Sequence, residues 1–230
     1  MNRRTFSLTA SALAAAPLAA CGDKKRADPP PLPPVPEFSA ERLHTGLEAL
    51  RLAYEAKGFN VSETLQPGLS DDEFNNRCSS WLAAPLPKEM LALYAWRGGQ
   101  QISKAPKDFP FSFRDCAFST PDEAKAEYIR MMSTYGANPG DSELLRNCFP
   151  FAAFNGGWLV MPCGNQSLEP RLQRPIISVM QGVAVHYHSI ERMVATVTDC
   201  VSHPKHDGHG LPSDIELDLW RRHNPGIFQR

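Results

Sequence analysis

CFPFAAFNGGWLVMPCG, residues 148–164, decides how this chain folds. Its two halves are short, apolar, and rich in aromatic and β-branched side chains, as strands are. Between them Asn155-Gly156 is the pair that suits a two-residue type I′ turn, whose central residues both take positive φ. The stretch is predicted as a β-hairpin with Phe154 facing Gly157. Cys148 and Cys163 lie equally far from the turn, so an unbroken ladder would set them opposite one another as a candidate disulfide. The same ladder puts Pro150 at a hydrogen-bonded position, where it has no N–H to give. The register is expected to shift or end there, and the disulfide stands only if it does not.

Working outward, PIISVM (175–180) and VAVHYH (183–188) continue the pattern, so consecutive strands meander antiparallel. FPFSF (109–113) and CAFS (116–119) read as further short strand pieces. Elsewhere the apolar period is helical. FSAERLHTGLEALRLAYEAKG (38–58) has Ser39 to cap it, Leu43, Leu47, Leu50 and Tyr54 on one stripe, and Gly58 to end it. SDDE (70–73) has the form of a capping box. In LPKEMLALYAWRGG (86–99) Pro87 suits a first helical turn and Gly98-Gly99 a stop. Thr120 caps TPDEAKAEYIRMMSTYG (120–136), ELLRN (143–147) makes a brief turn, Ser189 caps SIERMVATVTDCV (189–201), and DIELDLWRR (214–222) closes the series. Helices, then a meander, then helices predict a single α+β domain over 37–230, with an antiparallel sheet of about four to six strands flanked by helices.

In this order the segments resemble the SUKH superfamily, which includes bacterial immunity proteins and yeast regulators of cell-wall synthesis. Four stretches carry the resemblance: LSDDEFNNRCSSWLAAPLPKEMLALYAWRGG (69–99), FSFRDCAFSTPDEAKAEY (111–128), CFPFAAFNGGWLVMPCG (148–164) and VAVHYHSIERMVATV (183–197). Arg97 stands where asparagine is usual before the glycines, a long polar loop (164–174) separates two strands, and the segment around Pro204 lies outside the pattern. The resemblance implies a domain that works by binding, typically with a sheet face and neighbouring loops, and in many members by neutralising a secreted toxin. It implies no common catalytic set.

The N-terminus says where such a domain would work. Arg3 and Arg4 precede the apolar run LTASALAAA (8–16), which is too short to span a bilayer, and LAAC (18–21) resembles the bacterial lipobox. Residues 1–20 are therefore expected to be a removed lipoprotein signal peptide, with Cys21 lipidated and made the first mature residue. NRRTFSL (2–8) also resembles the twin-arginine export signal, with Leu8 displaced by one position. Several acyl chains give lasting anchorage where one does not. Residues 21–36 carry Pro29, Pro30, Pro31, Pro33, Pro34 and Pro36, a polyproline tether. The fifteen residues after Cys21 reach roughly 45 Å at ~3.1 Å each. The expected location is the bacterial cell envelope, at the outer rather than the inner membrane, with the domain in the periplasm.

Five of the 24 basic and two of the 25 acidic residues precede Glu37, which leaves the domain at −4 and without a basic footprint for nucleic acid. Cys78, Cys116, Cys148, Cys163 and Cys200 form no C-x-x-C pair. His203, His206 and His209 lie in a Pro/Gly-rich loop without thiolate or helical spacing, so neither a metal nor a cofactor is expected. SHPK (202–205) matches S-x-x-K only formally, because Pro204 opposes the helix that motif needs. No enzyme and no small-molecule substrate is expected. Candidate partner-binding residues are Trp96 and Arg97 beside Gly98-Gly99, Asn155 and Trp158 at the strand turn, and His186 and His188 on one strand face, since aromatic and arginine anchors dominate interfaces. The expected function is a membrane-anchored immunity protein that neutralises a secreted effector acting in the envelope. An envelope lipoprotein regulating or scaffolding cell-wall synthesis is the alternative.

Overall fold

Ser39 accepts the Arg42 N–H and starts α1 (Ala40–Ala56), whose Leu43, Leu47, Leu50 and Tyr54 are buried as one stripe. The structure, a computed structural model, describes residues 36–100, 111–164, 172, 174–180, 182–207 and 210–227. The LAAC motif with Cys21, most of the proline-rich stretch behind it, His209 and most of the polar loop lie outside the described residues. After a 3₁₀ turn (Val61–Glu63) come α2 (Asp71–Cys78) and α3 (Lys88–Trp96). Ser70 caps α2 through Glu73 N–H, and Pro87 stands one residue outside α3, at its N-cap. β1 (Ser112–Phe113) and β2 (Cys116–Phe118) form a small hairpin. α4 (Pro121–Tyr135) carries a complete capping box between Thr120 and Glu123, and α5 (Pro139–Leu145) follows. β3 (Cys148–Phe154), β4 (Gly157–Pro162), β5 (Ile176–Val179) and β6 (Val183–Tyr187) complete the meander. α6 (Ile190–Ser202) and α7 (Ser213–His223) end it.

The strands make one antiparallel sheet in the order β1-β2-β3-β4-β5-β6. One face packs on α1, α3 and α6, with Phe149, Phe151, Leu159 and Met161 meeting Leu47, Leu93, Tyr94 and Met193 in the larger core. The other face packs on α4 and α5, where Met131 and Leu145 meet Ala153, Trp158, Val160, Ile177 and Val179. The result is α+β, with helices on both faces of the sheet, as expected.

The predicted hairpin forms, with Asn155 at φ 47° and Gly156 at φ 77° and Phe154 paired with Gly157. The register then slips. Ala152 pairs with Leu159, but Pro150 pairs with Val160 and Cys148 with Pro162, so Phe151 is a bulge. The slip moves Pro150 to a non-hydrogen-bonded position, where its missing N–H costs no ladder bond. It also corrects the candidate disulfide. Cys148 packs under α4 and α5, Cys163 belongs to the core on the opposite face, and both are free thiols. A second slip lies in β6, where Ile176 pairs with Tyr187 and Ile177 with Val185, leaving His186 bulged.

Candidate interaction surface

The sequence-predicted contact residues fall at three separate places, and most of them are buried. Trp96 is 5% exposed. Its Nε1–H donates to Glu48 Oε1 at 2.6 Å, and Arg51 Nε donates to Glu48 Oε2 at 2.8 Å. Burial pushes the Glu48 carboxyl up, but those hydrogen bonds outweigh it and hold the group below its usual value. Arg97 lies over the Trp96 ring, 5.6 Å from its centroid, and is partly accessible. The two glycines behind it are not a binding loop. A Cβ at Gly98 would stand 2.6 Å from Pro67 O, and one at Gly99 (φ +93°) would stand 2.4 Å from Ser119 O. Gly99 O accepts Gln66 N–H at 2.8 Å, and Gln100 N–H donates to Phe118 O at 2.9 Å. The glycines let the end of α3 cross two other chain segments at backbone distance. Trp96 is thus a core residue of the α1–α3 contact, contrary to the expectation of an exposed anchor.

Trp158 is likewise corrected. It is the second residue of β4, paired with Ala153, and shares that residue's face under α4, where it is 1% exposed and its Nε1–H donates to Glu127 Oε2 at 2.7 Å. Tyr135 stands edge-on to it with centroids 6.1 Å apart, and the Tyr135 hydroxyl donates to Met180 O. Asn155, in contrast, is exposed in the turn.

His186 and His188 are 8% and 3% exposed, so they too are interior. The bulge turns His186 toward Trp220 and the β1–β2 turn. Arg114, held at φ 58° in that turn, donates from Nη1 to His186 Nε2 at 3.0 Å and pairs through Nε with Glu216 at 3.0 Å. Guanidinium has no acceptor, so His186 is neutral with its proton on Nδ1. Burial, and secondarily Arg114, holds its pKa down to about 3. Trp220 Nε1–H donates to His186 O at 2.9 Å, and Asn224 Oδ1 accepts His188 N–H at 3.1 Å. The β1–β2 turn and β6 belong to opposite ends of the strand order, so the sheet is curled, and α7 clasps the place where its ends approach. Nothing in the sequence singled out Arg114, Glu216 or Asn224. Their partners lie far along the chain.

One apolar row was missed by sequence reasoning and is open to solvent. Phe154 is 52% and Met180 36% exposed. The registers Phe154↔Gly157 and Trp158↔Val179 put Phe154, Gly157 and Met180 side by side across three strands. The bare Gly157 leaves room for Met180, whose Cγ would lie 2.8 Å from a Cβ there. The row is braced from behind by Trp158 and Tyr135, so it is apolar, rigid and accessible together.

No protein-family model matches the chain, and no curated protein matches it.

Proposed function

We propose that this chain is an envelope lipoprotein whose domain binds and neutralises a secreted effector acting in the periplasm, as an immunity protein. The observation that carries the reading is the Phe154–Met180 row: half-exposed large apolar side chains on a braced hairpin end. Such residues are common anchors of protein interfaces, and a rigid anchor loses little entropy on binding. Asn155 supplies a polar rim beside it. The LAAC motif at Leu18–Cys21, the polyproline stretch behind it and the SUKH-like order of helices and strands support the location and the mode of action. Blocking is steric, at an interface of ordinary size.

The test is a pull-down from the source strain's envelope with the full chain tagged at its C-terminus, followed by mass spectrometry and competition assays. A secreted protein with an envelope-degrading domain, whose toxicity the chain relieves, is the expected result. A resident wall-synthesis enzyme bound in its place would sink the immunity reading and favour the regulatory one. Phe154→Asp is expected to weaken effector binding at least about tenfold, the usual size of a hot-spot loss. Because Phe154 is 52% exposed, its unfolding midpoint should stay that of the parent. Equal protection by an exported but unlipidated Cys21→Ser chain would show that the anchor is dispensable.

A further inference from the structure

β6 is an edge strand of the sheet. In an antiparallel sheet both polar backbone groups of a residue point to the same neighbouring strand, and the direction alternates along the strand. A two-residue turn makes Phe154 and Gly157 a hydrogen-bonded pair. Following the registers Ala153↔Trp158, Trp158↔Val179 and Ser178↔Ala184 then leaves Ala184 bonded inward to β5. The N–H and C=O groups of Val183 and Val185 point outward, and among the described residues no strand pairs with them. Farther on, the outward groups are covered by α7. His186 O takes the Trp220 indole N–H, and His188 N–H goes to Asn224. The protein thus closes this edge from His186 onward and leaves a window at Val183–Val185, bounded on its other side by the turn at Gly182.

We propose that this window is filled by the same window of a second copy, running antiparallel about a two-fold axis at Ala184. The window is self-complementary in four respects. First, Val183 of each copy meets Val185 of the other, and both residues carry outward groups, so four backbone hydrogen bonds form. Second, the valine pairs join the face that already holds Val179 and Val183 against α4 and α5, and β-branched cross-strand pairs are favourable. Third, Ala184 meets Ala184, small and uncharged, on the axis. Fourth, the lengths match. His186 of one copy lies opposite Gly182 of the other, which has no side chain and open space around its Cβ position. The turn therefore clears Trp220 before leading away to β5. An interface between identical patches of this kind closes as a dimer and does not propagate. Unprotected edges of this composition are otherwise rare in native sheets. Pairing over three residues is much smaller than the roughly 800 Å² per partner of a standard interface, so the dimer is weak.

The test is sedimentation equilibrium of the full-length protein in mild detergent, from low micromolar to about millimolar concentration. A reversible monomer–dimer equilibrium is expected. Val185→Pro deletes one outward N–H and no bond within the chain, and Ala184→Lys sets like charges on the axis. Each should weaken dimerisation at least about tenfold with an unchanged thermal midpoint. Ala184→Cys should give a covalent dimer with copper phenanthroline as oxidant, whereas Asn155→Cys, remote from the axis, should not. A monomer throughout the range, or a dimer that Val185→Pro and Ala184→Lys leave intact, would overturn the proposal. So would slowed amide exchange at Val183 and Val185 only when the effector is added to a monomeric chain, which would assign the edge to a foreign strand.

Discussion

Replacing Asn224 by alanine should loosen the clasp on the curled sheet, and the structure sets the size of the effect. The Asn224 side chain is fully buried and makes three bonds: from His188 N–H at 3.1 Å, to Thr196 Oγ1 at 3.2 Å and to Trp220 O at 3.1 Å. Two of those partners keep another bond. Trp220 O still accepts the Asn224 backbone N–H at 2.9 Å, and the Thr196 hydroxyl still donates to Arg192 O at 2.7 Å. The His188 N–H loses its acceptor inside the core, which costs about 1–3 kcal/mol. The space left by the amide adds about 1 kcal/mol. For a domain of this size, a loss of about 2–4 kcal/mol lowers Tm by roughly 5–15 °C. Urea unfolding of the full chain, followed by tryptophan fluorescence, measures it directly, with an unchanged denaturant slope as the check on two-state behaviour. Asn224→Asp keeps the acceptor for His188 but replaces the donor facing Trp220 O with a charged oxygen, so it should cost more than alanine. If Asn224→Ala falls within about 0.5 kcal/mol of the parent, the accounting is wrong and α7 is not held by this residue.

Three further outcomes follow from named groups. His186 has its pKa held down to about 3, against 6.5 in an open chain. Below pH 6.5 the unfolded chain therefore takes up a proton that the native state refuses, and stability falls as pH drops toward 3, at up to about 1.4 kcal/mol per pH unit. Between pH 6.5 and 5 the carboxylates contribute little, so urea midpoints there should fall in the parent and fall less steeply in His186→Gln, where His188 and His206, also held down by burial, supply the remaining slope; equal slopes would refute this assignment. Burial raises the thiols of Cys78, Cys116 and Cys163 to about 12 and that of Cys148 in the same direction. Alkylation at pH 8 should leave these four unlabelled in the native chain and label all of them in urea without reductant; a Cys148–Cys163 peptide pair in the digest would contradict the slipped register. Gly99→Ala should cost more than about 3 kcal/mol, because a Cβ meets Ser119 O at 2.4 Å and Thr120 N at 2.5 Å, whereas Gly58→Ala, with positive φ but open space, should cost about 1 kcal/mol. Similar midpoints for the two variants would mean that the crossing can relax.

How far the fold was legible depends on how local its determinants are. Asn155-Gly156 and Pro150 each act through their own backbone, so the hairpin and the break in its ladder could both be read from single residues. The helix starts at Ser39, Ser70, Thr120 and Ser189 are local for the same reason. The candidate surface was read less well. Tryptophan type suggested anchors, but Trp96 and Trp158 hydrogen-bond to Glu48 and Glu127, 48 and 31 residues away, and only the assembled core supplies those acceptors. The slip at His186 has no proline or glycine to announce it, so the expectation that His186 and His188 share an open face had nothing local to correct it. The exposure of Phe154 and Met180 depends on how far the helices of the other face, α1, α3 and α6, reach over this end of the sheet, which no period in either segment encodes.

The clasp also has a consequence in time. The caps on β6 come from Trp220 and Asn224, which follow their strand partners by 34 and 36 residues. A growing chain therefore completes every strand of the sheet before the groups that seal its edge and pin Arg114 against β6 have been made. Until then His186 O and His188 N–H stay open beside the Val183–Val185 window, and the nascent domain presents one continuous sticky edge. Its closure is a late event, suited to a chain kept unpaired by its handling machinery until synthesis is past α7.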